Sequence, residues 1–264
     1  MNQKKTGDVE SFDTSWKIRE ESYYTHWTRG EVTNQIQLAF RNHYTLFSEL
    51  IKAEEKYNGG KRVMEIGCGR GSLSCYFSDD GYDCTLVDLS EKVIDVAKEI
   101  FNRNNLEAKF EVGDTNNLKY EDNSFDVIYS IGLLEHFEDI EKPLSEQIRV
   151  LDKGGVWIGY IVPKYTDNIQ KDFEWINNIL KGYKKESGGF EKKEDLYRSD
   201  YGSERYIPVL EKLGLKNIKA SGVYPIPMIS HSIEFPFTLI LFTKFLAVFS
   251  IIIFVVIRLF SVFF

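Results

Sequence analysis

Residues 63–72 read VMEIGCGRGS. An apolar run carrying one carboxylate, Glu65, leads into three glycines at alternate positions, Gly67, Gly69 and Gly71. The run suits a short buried strand. The glycines let the chain turn sharply into a helix, because a residue without Cβ tolerates positive φ and close approach. A structural turn and a loop that receives a nucleoside both use these features, so the flanking sequence has to decide.

Upstream, Ile36, Phe40, Tyr44, Phe47 and Ile51 recur at helical spacing. They predict a helix over residues 33–57, capped by Thr33 and stopped by Asn58-Gly59-Gly60. Downstream, strands are expected at 62–66, 84–87, 108–112, 125–130 and 156–161, with helices from the glycine loop to 78, at 92–102 and at 143–151. Asp152-Lys153-Gly154-Gly155 reads as the turn before the fifth strand. This alternation predicts right-handed βαβ units in a parallel sheet. Ligands of such sheets sit beyond the carboxyl ends of the strands. Residues 67–71, Asp88, Asp114 and residues 130–132 all fall there. Beyond the fifth strand, helices are expected at 168–181 and 203–212, a polar loop at 182–200 and a strand near 216–224.

Two nucleosides compete for the loop. A dinucleotide fingerprint is G-x-G-x-x-G, whose third glycine allows close helix packing under a pyrophosphate. Here Ser72 holds that third position and the glycine comes one residue earlier. S-adenosylmethionine has no phosphate; it needs backbone close to an amino-acid moiety and a ribose. Glu65 can hold the ammonium end by a charge-assisted hydrogen bond, and Asp88 suits the two ribose hydroxyls. An acid in Asp88's place also occurs in nicotinamide enzymes. The register Glu65-x-Gly67-x-Gly69-x-Gly71 favours the sulfonium nucleoside.

At these residues the sequence resembles the class I S-adenosylmethionine-dependent methyltransferases, in particular the small-molecule type 11 group. The matching stretches are VMEIGCGRGS (63–72), TLVDLS (85–90), VGDTNNL (112–118), FDVIYSIGLLEHF (125–137) and RVLDKGGVWI (149–158). The resemblance implies a Rossmann-like methyltransferase fold, α/β, with a mostly parallel seven-stranded sheet whose last strand is antiparallel. It implies S-adenosylmethionine as cofactor, with Glu65, Gly67, Gly69 and Gly71 at the amino-acid end. Asp88 would lie at the ribose, Asp114 and Thr115 at the adenine, and Ser130 with Ile131 along the donor pocket; Leu89 is a further cofactor-binding candidate. Asp126 begins a strand and is expected to make a structural hydrogen bond instead.

Methyl transfer from an activated sulfonium needs a positioned nucleophile and somewhere for its proton to go. Glu135 and His136, after the fourth strand, are the candidate bases. LLEHF-like segments recur in the resembled family across different substrates, so a structural role for His136 is the rival reading. Tyr23, Tyr24, His26 and Trp27 form either an N-terminal lid or an aromatic cluster that docks a helix. His231 falls in a substrate cap. SIGL (130–133) stands where base-amine methylases carry an N/D-P-P-Y/F grip, no Cys is placed as a pyrimidine nucleophile, and no His/Asp cluster suggests a metal. An oxygen or carbon nucleophile on a small molecule is the expected acceptor class.

The remaining composition bounds the setting. A formal charge of −7 argues against broad nucleic-acid binding. Cys68, Cys75 and Cys84 cannot all pair and show no CxxC spacing, which suits a reducing compartment. The N-terminus MNQKKTGDVE lacks the apolar core of a secretory signal. Residues 245–264, FLAVFSIIIFVVIRLFSVFF, carry one charge, Arg258, and suit a membrane-spanning helix. The alternative is a last strand at 237–243 followed by an apolar cap helix or dimer surface. The expected organisation is an N-terminal lid and helix (1–57), a methyltransferase core (58–234) with a substrate cap at 163–234, and an apolar anchor (235–264). Such a chain would sit on the cytoplasmic side of a membrane and act on a small or lipid-like acceptor. A non-catalytic S-adenosylmethionine-binding scaffold and a nicotinamide oxidoreductase are the competing functions.

Overall fold

The computed structural model describes residues 26–32, 35–164 and 197–222. The chain divides into two compact units, and the first (1–27, 40–165 and 192–222) holds the sheet. The described part of the second comprises residues 28–32 and the first turn of the opening helix, 35–39.

The elements alternate as expected. Helix α1 spans Gln35–Ala53, β1 Arg62–Ile66, α2 Ser72–Asp79, β2 Asp83–Asp88, α3 Glu91–Arg103 and β3 Lys109–Val112. Strand β4 spans Phe125–Ile131, a single 3₁₀ turn Leu134–His136, α4 Glu141–Val150, β5 Leu151–Tyr160 and α5 Ser203–Lys212. The strands lie in the order β3-β2-β1-β4-β5 and every neighbouring pair is parallel.

Alternate residues of the central strands feed opposite faces, as a period of two requires. Val63, Leu86, Val127 and Tyr129 join Phe47 and Ile51 of α1, Leu73 and Phe77 of α2, and Ile94, Ala97 and Phe101 of α3 in one core. Met64, Ile66, Val87 and Ile128 form the opposite core with Val150 and Leu151. A third cluster joins Leu144 of α4 to Tyr206 and Leu210 of α5. The Ser90 hydroxyl accepts from the Val93 amide at 3.3 Å and so caps α3.

Three expectations change. The turn at 152–155 lies inside β5 as a bulge: Phe125 pairs with Leu151, but Val127 already pairs with Val156. Gly154, at φ 77°, supplies the left-handed backbone this needs. The expected strand near 216–224 does not form over its described part, 216–222, where Asn217 at φ 57° interrupts the extended run. The sheet therefore has five strands among the described residues, against an expected seven. Among the described residues no helix is long and apolar enough to cross a membrane. The helix expected at 168–181, the strand at 237–243, Tyr23, Tyr24, His231 and the apolar stretch 245–264 lie outside the described residues.

Candidate functional site

The glycine loop joins β1 to α2 at the carboxyl edge of the sheet. Gly67, Gly69 and Gly71 all have positive φ, 66°, 53° and 65°. At Gly71 two constraints coincide: the left-handed backbone, and a Cβ position that would fall on the Leu86 side chain and 3.1 Å from Phe101. At Gly67 a Cβ would come within 2.9 Å of Leu133. The loop is tied to β2 by the Gly67 and Cys68 amides, both donating to the Val87 carbonyl at 2.9 and 3.1 Å.

Asp88 closes this arrangement. One carboxylate oxygen accepts from the Gly69 amide at 3.2 Å, the other from the Ser90 amide at 3.1 Å. Backbone donors from the glycine loop and from the start of α3 thus orient one half-exposed carboxylate. Leu89, next in sequence, stands half exposed beside it. The Gly113 amide donates to the Asp88 carbonyl at 2.9 Å and brings the end of β3 to the same edge. There Asp114 is exposed and accepts from the Asn116 amide and side chain, both at 2.8 Å, in a tight Asx turn. Thr115 is buried, and its hydroxyl accepts from Gln147 Nε2 at 3.3 Å. Gln147 Oε1 in turn accepts from the Trp157 indole at 2.8 Å.

Glu65 differs from Asp88. It is buried at 4% exposure, and its Oε2 accepts from Ser74 Oγ at 2.6 Å, with Tyr129 Oη 3.3 Å away. Burial pushes its carboxyl up to about 7, although the hydrogen bonds from Ser74 and Tyr129 pull the other way. Ser130, the next residue of β4, is fully buried, and its hydroxyl has no hydrogen-bond partner among the described residues.

The two candidate bases lie in the 3₁₀ turn after β4. Glu135 is fully buried, and burial raises its carboxyl to about 7; backbone amides and Arg198 oppose the shift. The Ser199 amide donates to the Glu135 carbonyl at 2.7 Å. His136 places Nδ1 2.7 Å from the Tyr197 carbonyl, so Nδ1 carries the proton and Nε2 is the acceptor nitrogen. Burial lowers the His136 pKa and favours the neutral ring. At the N-terminus, Trp27 is buried and meets the Tyr76 ring edge-on at 6.1 Å, and His26 stacks on Phe40 at 5.3 Å. The described part of that aromatic cluster therefore packs on helices.

Sequence reasoning missed Ser74, Tyr129 and Gln147. Ser74 follows the loop by one helical turn, so its position facing the carboxylate was readable in principle. Tyr129 and Gln147 carried no signal of their own beyond falling in the strand expected at 125–130 and the helix expected at 143–151.

The residues present fit S-adenosylmethionine. A loop of three left-handed glycines opens beside a carboxylate whose two oxygens are oriented from the backbone, and the fingerprint's third glycine, which allows close helix packing, is replaced by Ser72, 5% exposed. Residues 64–159 match the family described as "Methyltransferase domain". Over 97 residues the chain is 37% identical to norajmaline N-methyltransferase of Rauvolfia serpentina, covering 36% of this chain and 33% of that protein. It is 29% identical over 119 residues to the uncharacterized methyltransferase YcgJ of Bacillus subtilis, covering 45% and 46%. A ubiquinone biosynthesis O-methyltransferase of Coxiella burnetii is 34% identical over 96 residues, covering 36% and 41%. In each case the match spans less than half of the relative's length. The matched segment coincides with the sheet from β1 to β5, the glycine loop and Asp88 included. That segment is similar to a methyltransferase domain, and the relatives it matches are named as methyltransferases.

Proposed function

We propose that this chain transfers the methyl group of S-adenosylmethionine to a nucleophile of a small or lipid-like acceptor by in-line displacement. The observation that carries the reading is the Asp88 carboxylate, fixed by the Gly69 and Ser90 amides at the mouth of the glycine loop. With its oxygens oriented in advance, Asp88 accepts from the two ribose hydroxyls without first losing rotamer freedom. Glu65 holds the ammonium end, the Asp114 loop with Thr115 the adenine, and Ser130 lines the pocket. The bound donor supplies an electrophilic methyl group on a positive sulfur. The protein's part is alignment, exclusion of water and removal of the acceptor's proton.

Glu135 and His136 are the proton acceptors to test: burial raises the Glu135 carboxyl to about 7, and by lowering the His136 pKa it keeps that ring neutral and able to accept a proton. The relatives' names include O- and N-methyltransferases, which adds nitrogen to the expected oxygen and carbon nucleophiles. The lipid-like option and a position on the cytoplasmic side of a membrane rest on the sequence of residues 245–264.

Mass spectrometry of lipids and small metabolites, with and without the full chain, tests the reaction. A single compound gaining one CH₂ in a donor-dependent way is expected. Donor binding without any methylated product would point to a scaffold instead.

A further inference from the structure

Behind the glycine loop three buried side chains meet. Ser74 Oγ lies 2.6 Å from Glu65 Oε2 and 2.7 Å from Tyr129 Oη, and Tyr129 Oη lies 3.3 Å from the same carboxylate oxygen. They come from three elements, β1, α2 and β4, and are 4%, 0% and 0% exposed.

The hydrogens can be counted. With Glu65 ionised, the three side chains share two hydrogens, one on Ser74 and one on Tyr129. Ser74 donates to the carboxylate. Tyr129 then donates to Ser74, or to the carboxylate along the longer path. Both hydroxyl hydrogens are engaged, and each bond polarises the next. Protonating Glu65 adds a third hydrogen to a cluster already satisfied as a chain of donors ending on an acceptor. The titratable groups packed around Glu65 are Tyr129 on β4, Cys75 on α2, Cys68 in the loop, and Cys84 and Asp88 on β2. Every one of them is neutral or negative, so the two hydroxyls, with the Ser74 backbone amide, are what favour the anion.

We propose that Ser74 and Tyr129 are positioning residues of the donor site, which favour the ionised Glu65 carboxylate over its acid form and fix its rotamer for the ammonium group of S-adenosylmethionine. The inference rests on the donor reading above and extends it inward to residues that do not touch the ligand. A residue acting this way affects only the part of the ligand that Glu65 meets. 5′-Methylthioadenosine carries the adenine and ribose without the amino-acid end, and so serves as the internal control.

The test titrates wild type, Ser74→Ala and Tyr129→Phe with S-adenosylmethionine and with 5′-methylthioadenosine between pH 6 and 9, after thermal melts show each variant folded. At pH 7 each variant should bind S-adenosylmethionine about tenfold more weakly and the control within about twofold of wild type. The pH at which S-adenosylmethionine affinity is half lost should move upward in both variants. Equal weakening of both ligands, or no change in either, overturns the proposal while leaving the donor site intact. Wild type that binds neither ligand overturns the donor site itself.

Discussion

Asp126 and Glu65 are carboxylates on neighbouring strands with nearly equal exposure, 3% and 4%. Their environments are opposite. Asp126, at the start of β4, accepts from the Arg62 amide at 2.9 Å, from the Arg62 guanidinium at 2.7 and 3.0 Å and from Asn58 at 3.3 Å. Burial alone would raise its carboxyl, but Arg62 and Asn58 hold it below the usual range. Glu65, near the end of β1, has neutral hydroxyl donors and is pushed up to about 7. The amino edge of the sheet spends its buried carboxylate on a cation and is finished; the carboxyl edge keeps one that gains from a cation arriving. That contrast agrees with the rule that parallel sheets bind ligands at their carboxyl ends.

The largest expected effect probes the packing that both edges share. Gly71→Val forces a β-branched residue into left-handed backbone and against Leu86, so it should cost about 4 kcal/mol of stability, read as a lower midpoint in urea. Unchanged stability would mean that Gly71 is not the junction where loop, β2 and α3 meet.

Glu65→Gln sharpens the contrast through pH. The unfolded chain releases this proton at the ordinary glutamate value of 4.5, whereas the folded chain keeps it to about 7. Wild-type stability therefore falls across that window as pH rises, and the glutamine variant lacks the fall. Between pH 5 and 8 the variant's relative stability should improve by up to about 3 kcal/mol while its affinity for S-adenosylmethionine drops. A flat difference between the two pH values would contradict the raised carboxyl.

Asp126→Ala has the opposite signature. It leaves the Arg62 amide and guanidinium without their buried acceptor and should cost about 2 kcal/mol. Because the folded pKa is depressed, the wild-type contribution is present above the ordinary aspartate value and lost as pH falls from there through the lower folded pKa, so the variant should be less sensitive to acid. Donor affinity should stay within about twofold of wild type. A large loss of donor binding would break the division between the two edges.

Much of this was legible in the sequence. Apolar runs of strand length, glycines behind them and acids at their ends located five strands and the edge where Asp88 and Asp114 lie, because parallel pairing buries both faces and leaves turns at fixed places. Asp126 was readable as a strand-start hydrogen-bonding residue. The bulge at 152–155 was readable as a turn but not as part of a strand, since pairing with β4 resumes only at Val156. Over its described part, 216–222, the strand expected near 216–224 is interrupted where Asn217 takes positive φ, which residue type suggests and does not require. The Glu65–Ser74–Tyr129 chain was the least legible. It depends on which side chains from three elements meet, and a tyrosine in a strand carries no mark of its partner.

The central claim is that the glycine loop and Asp88 form one binding site for S-adenosylmethionine. Calorimetric titration of the full chain, wild type against Asp88→Ala, tests it most directly. Wild type should bind with one saturable site, and the variant should lose about ten- to a hundredfold in affinity, the worth of hydrogen bonds to a charged acceptor, while melting close to wild type. Saturable binding that is equal in the two proteins would contradict the claim.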